Sequence, residues 1–194
     1  AKMVNPSFMF NVIIGEDGKI CDAVSGDFLK AHEVARARVE ERSAIKINKK
    51  CQLAIVSCGG YPKDIDFYQG TKALINAKEA VAEGGTIILV GEYIEGFGHK
   101  DLERIILDYD NIQDREEEVR RDYTIPKFIG YLTEIIANKY RVIAVSSLDK
   151  EVLRRINIEG ADSLDEALEL AYKRYGNNLS TYVIPSGSDI LPII

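Results

Sequence analysis

Leu53-Ala54-Ile55-Val56-Ser57-Cys58-Gly59-Gly60 and Thr86-Ile87-Ile88-Leu89-Val90-Gly91 decide the fold. Each is a short apolar run rich in branched residues that stops abruptly at glycine, the pattern of a buried parallel strand feeding a loop. Between them the apolar period changes. From Phe67 to about Ala82 it fits a helix, with Asp66 as its cap and Gly84-Gly85 as its stop, so strand, helix and strand form one βαβ unit. Outward from this unit the alternation continues. Helices are expected near Asp101–Arg120 and Ile125–Asn138, a strand at Arg141–Val145, a capped helix from Ser163-Leu164-Asp165-Glu166 to Tyr175, and a last strand at Tyr182–Ile184.

Upstream, Phe8–Ile14 and Ile20–Val24 flank Gly15-Glu16-Asp17-Gly18-Lys19 and read as a β-hairpin. Asp27 then caps a helix from Phe28 to Lys46, with apolar positions Phe28, Ala31, Val34, Ala35 and Val39. The whole predicts an α/β fold in three layers, with a mostly parallel sheet, helices on both faces and an antiparallel hairpin at one edge. Residues 1–194 are expected to form a single domain.

Composition narrows the partners. The chain has 194 residues, 46% of them hydrophobic, so it can bury a core and is not disordered. Its 25 Lys and Arg against 31 Asp and Glu give a net charge of −6, which argues against nucleic acid and anionic membranes. No apolar run approaches a membrane span of about 18 residues, and no signal core is present. Cys21, Cys51 and Cys58 cannot all pair and show no CxxC spacing. A cytoplasmic protein is expected. No metal ligation by this chain is expected either, since His32 and His99 have no second ligand at metal spacing.

Two loops at strand carboxyl ends are the places for chemistry. In the first, Gly59 and Gly60 permit close backbone approach, and Lys63 and Lys72 could hold an anion. Gln69 and Lys72 share a helical face opposite the stripe Phe67, Gly70, Leu74, Ala77 and Val81. That face is read equally well as simply solvated, with Gln69 closing a capping box on Asp66. In the second loop, Gly91 to His99, Glu92 and Glu95 could orient a ligand, and three glycines predict mobility. Cys58 reads as a small core residue and the acidic run Asp110–Asp122 as a solvated helix face.

The motifs Cys58-Gly59-Gly60-Tyr61-Pro62-Lys63-Asp64, Tyr68-Gln69-x-x-Lys72-Ala73, Gly84-Gly85-Thr86-Ile87-Ile88-Leu89 and Glu92-x-x-Glu95-Gly96-x-Gly98 together resemble the nickel-dependent lactate racemase family. The resemblance is to its C-terminal domain and extends to Ile184-Pro185-x-Gly187 and Leu191-Pro192. It implies that this chain is one half of a longer enzyme that inverts a 2-hydroxy acid. In the reaction it implies, a nickel-pincer nucleotide takes hydride from C2 and a histidine takes the hydroxyl proton. The cofactor-tethering lysine, nickel-binding histidine and acid/base histidines of the family lie in its N-terminal domain, which becomes the expected partner.

The resemblance implies that this domain closes over the site. Gln69 and Lys72 are its implied catalytic contacts, with Tyr68, Gly59, Gly60 and Glu92 around the substrate. The chain alone is expected to bind no cofactor and to be inactive. The missing start methionine predicts an excised domain with Ala1 left from a tag. A non-catalytic ligand-binding or regulatory α/β module is the competing reading. A histidine-rich domain encoded upstream would distinguish the two.

Overall fold

The computed structural model describes residues 2–15, 18–176 and 178–194. Ala1 and the hairpin-loop residues Glu16 and Asp17 lie outside the described residues. Two compact units divide the chain, residues 1–45 and 46–194.

In the first unit, β1 (Met9–Ile14) and β2 (Ile20–Gly26) pair antiparallel, with Met9 opposite Gly26 and a register irregularity between Ile13 and Ile14. The chain then enters α1 (Phe28–Ser43), where the Asp27 carboxylate accepts from the amides of Leu29 and Lys30. Ile13 and Val24 are buried with Phe28, Ala31 and Ala35 of the helix. Val34 and Val39, expected to join them, stay 44% and 43% exposed. The helix stops at Ser43, three residues before its expected end, because Ala44 turns to an extended conformation that begins β3 (Ala44–Lys46). The hairpin is not at the edge of the main sheet. It forms a two-stranded sheet of its own, with α1 packed against it.

The second unit contains a wholly parallel sheet of β4 (Cys51–Ser57), β5 (Val81–Val90), β6 (Arg141–Val145), β7 (Ile158–Ala161) and β8 (Thr181–Ile184). Its order is β7-β6-β5-β4-β8. Side chains alternate between faces. Ala54, Val56, Ile87, Leu89, Val142 and Ala144 pack under α2 (Phe67–Ala77), α3 (Lys100–Leu107), α4 (Ile112–Arg121) and α5 (Ile125–Lys139). Leu53, Ile88 and Ile143 face the other way, onto Ala167 and Ala171 of α7 (Leu164–Tyr175). Helices thus cover both faces and three layers result. At about 1.5–3 kcal/mol for each fully buried aliphatic side chain, these two clusters dominate the stability of the unit.

The strands read from the sequence are all present, but β5 begins five residues earlier than expected and the glycine pair at Gly84-Gly85 does not stop a helix. The α-helix ends at Ala77, a short 3-10 turn covers Lys78–Ala80, and the glycines lie inside β5. There Cys51 opposes Val81 while Leu53 opposes Thr86, so the residues between Val81 and Thr86 bulge out of register. A Cβ on Gly85 would stand 2.6 Å from Val81 Cγ1 and 2.9 Å from the Gln52 carbonyl. Short α6 (Lys150–Arg154), β7 and the terminal β9 (Leu191–Ile193) were not expected, and the Ile193 carbonyl accepts from the Ile47 amide at 2.8 Å. Among the described residues no helix is long and apolar enough to cross a membrane.

The acidic run is not simply a solvated face. Arg115 of α4 is completely buried and donates to the carbonyls of Ile105, Ile106, Tyr109 and Arg155 and, at 3.0 Å, to the Glu134 carboxylate of α5. Burial pushes the Glu134 carboxyl up, and Arg115 opposes that rise. Glu118, also buried, accepts from Lys127 at 2.7 Å and from Arg121. The Lys127 bond, then one from Tyr109 and then the Arg121 bond hold the Glu118 carboxyl at about 2.

Candidate functional site

From β4 the chain steps through β5, β6 and β7 in one direction, then returns in β8 to the other side of β4. The loops after β4 and β8 therefore flank the point where strand order reverses, the usual ligand crevice of a parallel sheet. After β4, Ser57 Oγ accepts from the Gly59 amide at 3.1 Å, and the Lys63 amide donates to Gly60 at 2.8 Å. Gly59 and Gly60 have φ of +102° and +75°, which glycine alone adopts without strain. The peptide bond between Tyr61 and Pro62 is cis. After β8, Gly187 donates to the Ser57 carbonyl at 2.8 Å and accepts from Asn76 Nδ2 at 2.9 Å. Lys63, one of two lysines expected to hold an anion, is engaged by Asp189 in an ion pair that spans the two loops.

Helix α2 starts from this crevice. Asp66, 8% exposed, accepts from the Gln69 amide at 2.7 Å and so caps the first turn. Phe67, Gly70, Thr71, Ala73, Leu74 and Ala77 are buried. Tyr68 is half-buried against the core. Lys72 is exposed, and its Nζ donates to Gln69 Oε1 at 2.6 Å. The Gln69 side chain is thus turned along the helix toward Lys72. With its oxygen so used, Gln69 presents amide N–H donors beside an ammonium group. The pair suits an acceptor-rich anion such as a carboxylate with a neighbouring oxygen.

The loop after β5 is joined by backbone hydrogen bonds to the segment that leads into α2. The amides of Tyr93 and Glu95 donate to the Asp64 and Ile65 carbonyls at 2.9 Å each, and Phe67 donates to Gly96 at 2.9 Å. Tyr93 itself has φ +58° and is 1% exposed. Its ring lies against Gly70 and Gly91, where an added Cβ would come within 2.5 and 2.6 Å of ring atoms. Phe67 meets the ring edge-on at 5.6 Å, and Phe97 meets Phe67 at 5.8 Å. The Tyr93 hydroxyl sits 3.5 Å from Cys58 Sγ. Burial raises both groups above their ordinary values, so at neutral pH Cys58 is a thiol and a poor nucleophile.

Glu92 and Glu95 keep exposed side chains, while the Glu92 carbonyl accepts from Ser147 Oγ at 2.6 Å. His99 is exposed and caps α3 by accepting from the Asp101 amide at 3.1 Å, and His32 is exposed on α1. Among the described residues no three His, Cys, Asp or Glu side chains are grouped to hold a metal ion. Gly59, Gly60, Tyr68, Gln69, Lys72 and Glu92 do come to one end of the sheet, on the loops and helix turn that follow β4 and β5. Sequence reasoning missed Tyr93 and Asp189. A glycine inside α2 and another directly after β5 were the available signals of a close neighbour at Tyr93, whereas Asp189 lies 126 residues from Lys63 and left none.

Residues 46–191 match the family model described as the lactate racemase C-terminal domain. The lactate racemase of Lactiplantibacillus plantarum is 34% identical over 98% of this chain and 46% of its own length. That of Thermoanaerobacterium thermosaccharolyticum is 30% identical over the same shares. The chain thus spans about half the length of these relatives. The structure of the T. thermosaccharolyticum lactate racemase apoprotein superposes with a TM-score of 0.86 at 28% identity, over 100% of this chain and 47% of that one. A crystal structure of a Thermotoga maritima protein shares the fold alone, with a TM-score of 0.61, 15% identity, and 96% and 48% of the two chains covered. On the match over residues 46–191, the chain belongs to the lactate racemase C-terminal domain family.

Proposed function

We propose that this chain is the substrate-facing half of an enzyme that racemises lactate or a similar small 2-hydroxy acid. The observation that carries the reading is the bonded Lys72–Gln69 pair, Lys72 exposed and Gln69 half-buried, on a helix whose other side is core. Racemisation removes a hydride from C2 and a proton from its hydroxyl, then returns both with the hydride on the opposite face. The carboxylate and the C2 oxygen are the groups that an enzyme can hold throughout, because C2 must be open to either face. Lys72 holds the carboxylate by a charge-assisted bond, and Gln69 donates to the C2 oxygen in both its hydroxyl and carbonyl forms. Tyr68 beside them limits the space for the substituent at C2. The Gly59-Gly60 backbone lets the ligand approach closely, and Glu92 lines the rim from β5.

Among the described residues no three His, Cys, Asp or Glu side chains are grouped to hold the nickel that the resemblance implies. Its ligands, and the groups that move the proton, are assigned to the half of the enzyme that the relatives have and this chain does not span. That half is the proposed partner domain, and the chain alone is expected to be inactive. A reducing, cytoplasmic setting accords with Cys21, Cys51 and Cys58, which are all free thiols.

The test is interconversion of D- and L-2-hydroxy acids by the full-length enzyme, run beside its Lys72→Ala and Gln69→Ala variants. Lactate or a close homologue should be racemised by the wild type and poorly by both variants. Turnover of no 2-hydroxy acid, or variants as fast as wild type, would sink the reading.

A further inference from the structure

We infer that residues 1–45 belong to the other half of the enzyme, and that the outer face of the β1–β2 hairpin docks onto that half. Two boundaries coincide. The family model for the C-terminal domain begins at residue 46, and the second compact unit begins at Lys46. Yet both lactate racemases align over 98% of the chain, so the first unit is part of the enzyme without being part of this domain.

The hairpin carries the physical argument. Cross-strand neighbours share a face, which puts Phe10 with Ser25, Val12 with Ala23 and Ile14 with Ile20 on the side away from Ile13 and Val24. No side chain among these pairs is charged. Phe8, Phe10, Ile14 and Ile20 are 64%, 67%, 55% and 64% exposed. The opposite face is already used, with Ile13 and Val24 only 6% and 8% exposed. Along the outward face the first strand reads Phe10, Val12 and Ile14, apolar at every position, and Phe8 just before it continues the row. A two-stranded sheet is marginal by itself, and an uncovered row of aromatic and branched side chains about 20 Å long marks a contact surface. More than half of each relative's length lies outside the part that this chain spans, enough for a compact domain to supply the cover.

The inference rests on the reading that the chain is one half of a racemase, and one experiment separates the two. Hydroxyl-radical footprinting reads the oxidation of Phe8 and Phe10 in the 194-residue chain and in the full-length enzyme, with lactate racemisation assayed on the same preparation. Oxidation should be several-fold slower in the full-length enzyme. Phe10→Asp should lower its melting temperature while leaving that of the 194-residue chain unchanged. Equal oxidation in both, or an indifferent full-length Phe10→Asp variant, would overturn the docking face even if lactate is racemised. Protection in the 194-residue chain that disappears on dilution would also overturn it, by showing that a second copy covers the face. Protection in a full-length protein that racemises nothing would support the docking face and remove the racemase reading.

Discussion

Lys72 on α2 and Arg115 on α4 both stand in helices whose charged residues read, by spacing, as solvated. The structure separates them completely. Arg115 is buried, each of its nitrogens is bonded, and its partners come from α3, α5 and α6 and the turns beside them. Lys72 is exposed, bonded to a neighbour three residues away on its own helix, and set at the carboxyl end of the sheet. A charge whose partners are all internal has nothing left to offer a ligand. One held by a single local contact keeps its remaining donors for something that arrives.

The sharpest way to break this contrast is Arg115→Ala. It leaves the Glu134 carboxylate buried without its cation and takes a donor from four carbonyls, of which Ile106 alone keeps a second side-chain donor, from Arg155. The expected loss is about 3–5 kcal/mol, a fall of roughly 10 °C in melting temperature for a unit of this size, with kcat/KM of the refolded full-length enzyme kept below that temperature. A small shift in melting with a collapse in turnover would make Arg115 the functional charge instead. Lys72→Ala should do the reverse. It should cost about 2–4 kcal/mol in kcat/KM of the full-length enzyme and change stability by no more than about 0.5 kcal/mol.

The bond between Lys72 and Gln69 sharpens the picture further. Gln69→Ala keeps the main-chain amide that Asp66 caps, so melting should hardly move while turnover falls. The double variant should lose less than the sum of the singles, with a coupling on the order of 1 kcal/mol in kcat/KM. Strict additivity would mean that the two side chains act on different parts of the ligand without orienting one another.

The smallest effect concerns acid. Glu118 has its carboxyl lowered from an ordinary 4.5 to about 2, so the folded state holds the ionised form more tightly than the unfolded chain does. Its contribution is therefore complete above about pH 4.5 and lost as pH falls toward about 2. Denaturant melts from pH 6 to pH 2.5 should show a shallower acid loss in Glu118→Gln than in wild type. Parallel curves would place the acid sensitivity elsewhere.

Strands β4, β5 and β6 were legible because burial on both faces leaves unbroken apolar runs, and the hairpin because alternation and glycine frame it. Its membership in a sheet was not legible, since pairing beyond a hairpin leaves no local trace. The glycine pair at Gly84-Gly85 misled because a bulge and a helix stop ask for the same residue. Elements of four or five residues, such as β7 and α6, are shorter than one period of any pattern. At the candidate site, the residues are proposed from their motifs, and spacing alone could not decide whether the Gln69–Lys72 face is idle. Arg115 was hidden for a related reason: Glu134 lies 19 residues away, and its other acceptors are carbonyls that every residue carries.

The Tyr93 ring fills the space that side chains at Gly70 and Gly91 would need. Three positions on two elements are thereby tied into one choice. In a library randomised at 70, 91 and 93, survivors should fall into two groups, those with glycine at both flanks and a large ring, and those with a small residue at 93 and freedom at the flanks. Mixed combinations should be missing from the folded pool. The ring is thus a lock on sequence drift, fixing the helix that bears Lys72 to the loop that bears Glu92 over many generations of change elsewhere.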